Sequence, residues 1–318
     1  MVSFIIPAYN ASKTIKKTID SILNQVHSDL KYEIIVVDDG STDNLRDVIK
    51  EYSPSELQYI NYYHKENGGL SSARNYGFKK SKGDYIIFVD SDDYVSKKLL
   101  KDIQIYINKG YDLIKWNPAI VNLAEEKIEE SDINELQEGT GEDCFNKLYG
   151  TDKLMVCVWN YAIKRNLVPE FPEGMYHEDY ATTPFVILNS KKMVVTNKIE
   201  YYYVQSSSSI TRGNSKAKQR MRLKDLLQNF DNIIKNADDL NVSNYTKENL
   251  KIFAVNALLV NVNDLKGDTK KYFIKELRKR NISQYLKPRT FKQFVKKIIV
   301  AIVYSHQKER SDMFINCG

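Results

Sequence analysis

Residues 84–93 read "DYIIFVDSDD", an apolar strand that ends in Asp90, Asp92 and Asp93. Carboxylates this close raise one another's pKa unless something positive joins them. A helix cap near Ser96 would need one such side chain, and Ser91 could supply it. Three are better explained by a divalent cation. Oxygen ligands at Asp90 and Asp92 make it a hard ion, Mg²⁺ or Mn²⁺, which keeps several waters and bridges to substrate phosphates. The expected partner is therefore a nucleotide diphosphate. Asp39, closing "YEIIVVDD", can accept from a base imide N–H or simply shape the turn before Gly40, while Asp38 caps that turn. Tyr9 can stack on a base, and Lys65 and Arg74 bring positive charge. Asp93 is expected to cap the next helix or to face solvent.

These residues need a scaffold, and the first hundred positions describe one. "VSFIIPAY" (2–9), "YEIIVVDDGS" (32–41), "LQYINYYHKE" (57–66) and "DYIIFVD" (84–90) read as strands. Helical patterns over 11–25, 42–52 and 69–81 separate them, the first with Ile15, Ile19, Ile22 and Leu23 on one face. Continuous apolar strands alternating with helices predict an α/β fold whose mostly parallel sheet is covered on both faces. Ligands bind such sheets beyond the carboxyl ends of the strands. Each strand delivers polar residues there: Tyr9–Asn10, Asp38–Asp39, Lys65 and Asp90–Asp92. From 101 to 205 the pattern is mixed, with an acidic stretch at 125–143 that reads as an exposed loop. Tyr62–Tyr63 and Tyr201–Tyr203 could line a carbohydrate or base site or could equally be half-buried strand, and strand is the reading for most of the tyrosines.

Charge divides the chain. Residues 1–205 hold 24 Lys+Arg against 31 Asp+Glu, a net of −7, and residues 206–318 hold 23 against 10, a net of +13. The expected divisions are 1–100 and 101–205 as the two halves of the α/β domain and 206–318 as a basic helical domain. Three unpaired cysteines (Cys144, Cys157, Cys317) indicate neither a disulfide framework nor a zinc site. With no basic leader before "MVSFIIPAYN" and no run of ~18 apolar residues, a cytoplasmic location is expected. Neither G-x-x-x-x-G-K-[ST] nor G-x-G-x-x-G follows the first strand, which argues against P-loop NTPases and dinucleotide dehydrogenases. "PAYNASKT" is a poor match to the glycine-rich loop of a sugar nucleotidyltransferase, the competing enzyme class. A non-catalytic glycan-binding module is the other alternative, and nucleic acid is not an expected partner.

The ordered blocks "FIIPAYN", "EIIVVDDGSTD", "ENGGLSSARNYGF", "GDYIIFVDSDD" and "HEDYATTPF" resemble glycosyltransferase family 2 over roughly residues 2–210. The resemblance implies a GT-A fold, a Rossmann-like domain for nucleotide-diphospho-sugars. It also implies inverting transfer from a nucleotide-sugar, most often a UDP-sugar. By position, Pro7, Tyr9 and Asp39 would hold the base, Asp90 and Ser91 would lie near the ribose and diphosphate, and Asp92 would ligate the metal. Arg74 falls in a donor-binding segment and Asp179 at the general base. Neighbouring Glu178 is the alternative base or an acceptor contact, and His177 a weak third metal ligand. Trp159 lies in a segment similar to an acceptor site, where its face would suit a sugar, though it could equally be core. "SSSSITR" (206–212) either closes over the diphosphate with Arg212 or links into the tail. The Q-x-x-R-W signature of processive synthases is absent. Transfer of one sugar to a glycan, glycolipid or glycoprotein is therefore expected.

In "FKQFVKKIIVAIVY" (291–304) apolar residues recur at helical spacing opposite Lys292, Lys296 and Lys297. Such a helix can touch the inner membrane face peripherally, form a dimer seam, or pack on its own domain.

Overall fold

Runs of Ile, Val and Phe without internal charge form the middle of a sheet, since branched side chains fit the pleat and both faces can be covered. The computed structural model describes residues 1–130, 136–151, 154, 156–205, 216–263, 265–288 and 291–304. The chain divides into two compact units, Met1–Gly213 and Asn214–Gly318.

The first unit opens with β1 (Val2–Ala8), α1 (Ile15–Leu23), β2 (Tyr32–Asp39), α2 (Leu45–Lys50), α3 (Pro54–Leu57), β3 (Ile60–Lys65), α4 (Leu70–Lys80) and β4 (Tyr85–Phe88). It continues through β5 (Tyr94–Val95), α5 (Leu99–Asn108), β6 (Leu113–Val121), β7 (Lys127–Glu130), β8 (Gln137–Gly139) and α6 (Gly141–Leu148). After β9 (Tyr161–Lys164) come α7 (Glu178–Asn189) and β10 (Met193–Val204). The sheet order is β3-β2-β1-β4-β9-β6-β10-β5, with β7 on β6 and β8 on β10. β1 to β4 pair in parallel, as does β10 with β6, whereas β9 runs antiparallel to both neighbours. Four parallel strands therefore bring their carboxyl ends to one rim. Pro7 pairs with Val37 beyond the last β4 partner of β1, so its missing N–H falls where the ladder is already ending.

Burial follows the apolar pattern. Ile15, Ile19 and Ile22 of α1 are fully buried, and they join Phe4, Ile6, Ile34, Val36, Ile87 and Trp116 in the main core. α4 lies close on the other face through Gly77, where an added Cβ would overlap Ile5 and stand 3.1 Å from Val37. The 125–143 stretch is not the loop expected of it. Its residues supply β7 and β8, and Thr140 and Asp143 form a reciprocal capping box at the start of α6. Glu125, Glu126, Lys127, Glu129, Glu138 and Asp143 are exposed, so pattern alone disguised the pairing.

The second unit is helical: α8 (Lys216–Ala237), α9 (Asn244–Asn263), α10 (Gly267–Lys279) and α11 (Phe291–Tyr304). Leu226, Leu227, Phe230 and Ile233 of α8 are buried, and Arg280 grips Asp231 with two parallel bonds of 2.9 and 2.7 Å. On α11, Val295, Ile298 and Ile299 remain exposed. No helix among the described residues is long and apolar enough to cross a membrane.

Candidate active site

The rim begins at a fixed corner between β1 and β2. Asn10 adopts a left-handed φ of 51°. Its N–H donates to Ser41 Oγ (2.9 Å), and its side-chain oxygen accepts from Thr42 N–H (2.8 Å). This leaves Tyr9 standing out, 53% exposed. Gly40 turns the chain with φ +77°, and a Cβ there would lie 2.8 Å from Asn67 N.

The two aspartates of β2 point into different networks. Asp38 is buried and accepts from Ser41 N–H (2.8 Å), Tyr62 O–H and His64 Nδ1 (3.0 Å). Burial pushes its carboxyl up, but those bonds outweigh burial and hold it below the usual range. Asp38 is thus the turn cap expected of it. Asp39 accepts from Lys65 Nζ (2.6 Å), Gly68 N–H (3.0 Å) and Gly69 N–H (2.7 Å), joining the rim of β2 to the entrance of α4.

Arg74 on α4 lies at the centre of the site. It is 2% exposed and bonds Glu178 through Nη1 and Asp90 through Nη2 (3.2 Å). Its guanidinium rests 5.5 Å from the Phe171 ring and 6.0 Å from the Phe88 ring. Asn75 beside it exchanges two hydrogen bonds with the Phe171 main chain (2.8 and 2.9 Å), fastening the segment before α7 onto α4. Glu178 and Asp179 then open α7, where the helix dipole favours negative charge. Burial and the Glu178 charge push Asp179 up to about 7, against Arg74 and the Tyr180 N–H.

After β4 the three aspartates separate. Asp90 meets Arg74, and Asp92 reaches the surface. Partial desolvation by its neighbours and the Asp90 charge raise Asp92. Asp93 neither caps the next helix nor faces solvent: at 1% exposure it accepts from Tyr201 O–H (2.8 Å) and Val204 N–H (2.7 Å). The main chain turns after Asp90, where Asp93 N–H bonds Asp90 O (3.1 Å), and that turn carries the third carboxylate inward. Ser91 lies within it, its carbonyl accepting from Thr18 Oγ1 (3.1 Å).

Asp90 and Asp92, two residues apart after β4, offer carboxylate oxygens, the ligand type that a hard divalent cation takes. Among the described residues no three His, Cys, Asp or Glu side chains converge on one point, so His177 is not brought into a set with Asp90 and Asp92. An ion held here would lean on one or two carboxylates, water and substrate oxygens. His177 instead caps α7 in the left-handed region at φ 60°.

Trp159 is 8% exposed and stacks on Tyr201 at 4.3 Å, with Tyr203 6.1 Å away. The Tyr201 side of its ring is therefore taken. Arg212 and the 206–212 segment lie outside the described residues. Sequence reasoning missed Asn75, whose partner lies 96 positions away, and it noted Tyr201 only as one of an aromatic cluster, without its bond to Asp90, 111 positions away. Neither bond has a local signal.

Residues 3–173, more than half of the chain, match the family described as Glycosyl transferase family 2. Glycosyltransferase GlyG of Streptococcus pneumoniae serotype 4 is 30% identical over 67% of this chain and 73% of its own length. Glycosyltransferase GlyA of the same organism is 29% identical over 66% of this chain, which spans 31% of GlyA's length. The crystal structure of Staphylococcus aureus TarS 1-349 with UDP-GlcNAc superposes with a TM-score of 0.71 at 21% identity, covering 90% of this chain and 81% of that one. That likeness establishes a GT-A fold.

Proposed function

The chain belongs to glycosyl transferase family 2, and on that premise we propose that it moves one sugar from a nucleotide-sugar donor to an acceptor hydroxyl, with inversion at the anomeric carbon. A UDP-sugar is the donor of choice, and a glycan, glycolipid or glycoprotein the acceptor. The observation that carries this reading is the Arg74 bridge. By pairing with Glu178 on one side and Asp90 on the other, Arg74 occupies the alternative base and leaves Asp179 for the chemistry.

Asp179, held near 7, is suited to take the acceptor proton as the hydroxyl oxygen bonds to the anomeric carbon. The bond from that carbon to the diphosphate oxygen breaks, and the nucleoside diphosphate leaves with the electron pair. Exposed Tyr9 offers a face to the base. Pro7 shapes the strand end beneath it, and Asp39 and Ser91 complete the nucleotide side. Trp159 with Glu178 borders the acceptor side. Asp92 and Asp90 would hold Mg²⁺ or Mn²⁺, which when bound neutralises charge growing on the diphosphate.

A subsidiary part of the proposal concerns the second unit. The exposed stripe of Val295, Ile298 and Ile299 lies in a region with a net charge of +13, which complements an anionic lipid surface.

The test is product analysis with Asp179→Asn as control. The wild type should release nucleoside diphosphate from a UDP-sugar in the presence of an acceptor, and the variant should lose about 10²–10⁴ in rate while still binding UDP. Pyrophosphate release from a nucleoside triphosphate would replace this reading with nucleotidyl transfer. Sugar binding without turnover would replace it with a binding module.

A further inference from the structure

Tyr201 of β10 has no exposed surface, yet its hydroxyl is fully committed to the aspartate turn. The Asp90 N–H donates to it at 3.1 Å, and it donates to Asp93 Oδ2 at 2.8 Å. Asp93 Oδ1 accepts from Val204 N–H at 2.7 Å, three positions along the same strand. From the opposite side Thr18 of α1, also fully buried, donates its hydroxyl to Asp93 O (2.7 Å) and Ser91 O (3.1 Å). The turn bearing Asp90, Ser91 and Asp92 is thus gripped between a strand and a helix. The ring of Tyr201 also stacks on Trp159 at 4.3 Å and 16°, so the same side chain touches the acceptor side.

A phenylalanine at 201 would fill the ring's space but leave the Asp90 N–H and the buried Asp93 carboxyl each short of a partner, and unmet buried polar groups move until they find one. The main chain of Asp90 would be the part to shift.

We propose that Tyr201 and Thr18 are positioning residues for sugar transfer: their hydroxyls clamp the aspartate turn so that Asp90 and Asp92 face the donor diphosphate in one fixed setting, and the Tyr201 ring ties that setting to Trp159. The inference rests on the reading of Asp90 and Asp92 as the diphosphate side of the donor site. Groups that orient metal-binding side chains from behind typically change metal affinity 10–100-fold when removed.

The test is calorimetric titration of UDP across a series of MnCl₂ concentrations. Tyr201→Phe should raise the Mn²⁺ concentration needed for half-maximal UDP binding about ten-fold, and Thr18→Val should move it the same way. Tyr85→Phe is the control, because it removes a buried tyrosine bond to the Tyr111 carbonyl (2.6 Å) at the start of β4, away from the rim. It should leave the Mn²⁺ requirement unchanged. Unshifted Mn²⁺ dependence in both Tyr201→Phe and Thr18→Val overturns the clamp, as does an equal shift in Tyr85→Phe. If Tyr201→Phe does not fold, Thr18→Val decides alone. A wild type that binds UDP identically with and without Mn²⁺ overturns the donor-site reading itself, and the clamp with it.

Discussion

Replacing Glu178 by Gln removes one charge beside the proposed base while keeping the side chain's shape. Burial is the larger cause of the high Asp179 value and the Glu178 charge is the second, with Arg74 pulling the other way. Two carboxylates roughly 6 Å apart at an effective dielectric near 20 repel by about 2–3 kcal/mol. That corresponds to about two pH units, and salt and solvent screening at the half-buried Asp179 trims it to about one. Arg74, released from Glu178, adds to the shift because it can turn toward Asp179. In the wild type, kcat/KM should fall as pH drops through about 7, where Asp179 takes a proton. In Glu178→Gln that acidic limb should lie about one unit lower, near 6, whatever happens to the maximum rate. The assay is release of nucleoside diphosphate between pH 5 and 9. An acidic limb that stays in place, or moves up, refutes the assignment of Asp179 as a base tuned by its neighbour.

The same carboxyl links activity to stability. Asp179 binds its proton more tightly folded than unfolded, so its contribution is full below about pH 4 and is lost as pH rises toward 7. Asp179→Asn should therefore raise stability near neutral pH by ~2 kcal/mol while slowing transfer about 10²–10⁴-fold, the stability read by thermal unfolding at pH 5 and 7.5. Glu200 should behave alike for a structural reason. Burial and the neighbouring Asp102 push it up to about 8, and its Oε2 has no hydrogen-bond partner among the described residues. Glu200→Gln should unfold at higher temperature than the wild type at pH 8, with the gain vanishing below about pH 4.5. If the α11 stripe meets lipid, the protein should sediment with phosphatidylglycerol vesicles but not phosphatidylcholine ones. Replacing Ile298 and Ile299 by Glu should then end the sedimentation, and retained sedimentation would remove the stripe from the account.

Much of the rim was legible because strand ends announce themselves. An uncharged run such as "YIIFV" has nowhere to go but the sheet, so the Asp90 and Asp92 that follow it must emerge at its edge. The same logic placed Asp38, Asp39 and Lys65, and the turn at Gly40 made Asp38 a cap. What could not be read were choices between neighbours. Glu178 and Asp179 look equivalent in a chain of letters, and the ion pair that sets Glu178 apart comes from Arg74, 104 residues earlier. Asp93 looks as solvent-loving as Asp92, yet its partners come from β10, which pairs with β5 beside the turn. Long-range pairing also hid β7 and β8, short strands whose described side chains stay exposed or half-buried and so lack the apolar alternation of a core strand. The aromatic run at 201–203 read correctly as strand, but nothing local distinguished the buried hydroxyl of Tyr201 from its half-exposed neighbours.

The measurement that bears most directly on the account is a calorimetric titration of UDP, with and without Mn²⁺, on the wild type and on Asp92→Asn. The account predicts binding that needs the metal and disappears in the variant. Failure of the wild type to bind UDP, with GDP and CDP equally silent, would contradict it and leave the aspartates after β4 as a capped and buried turn.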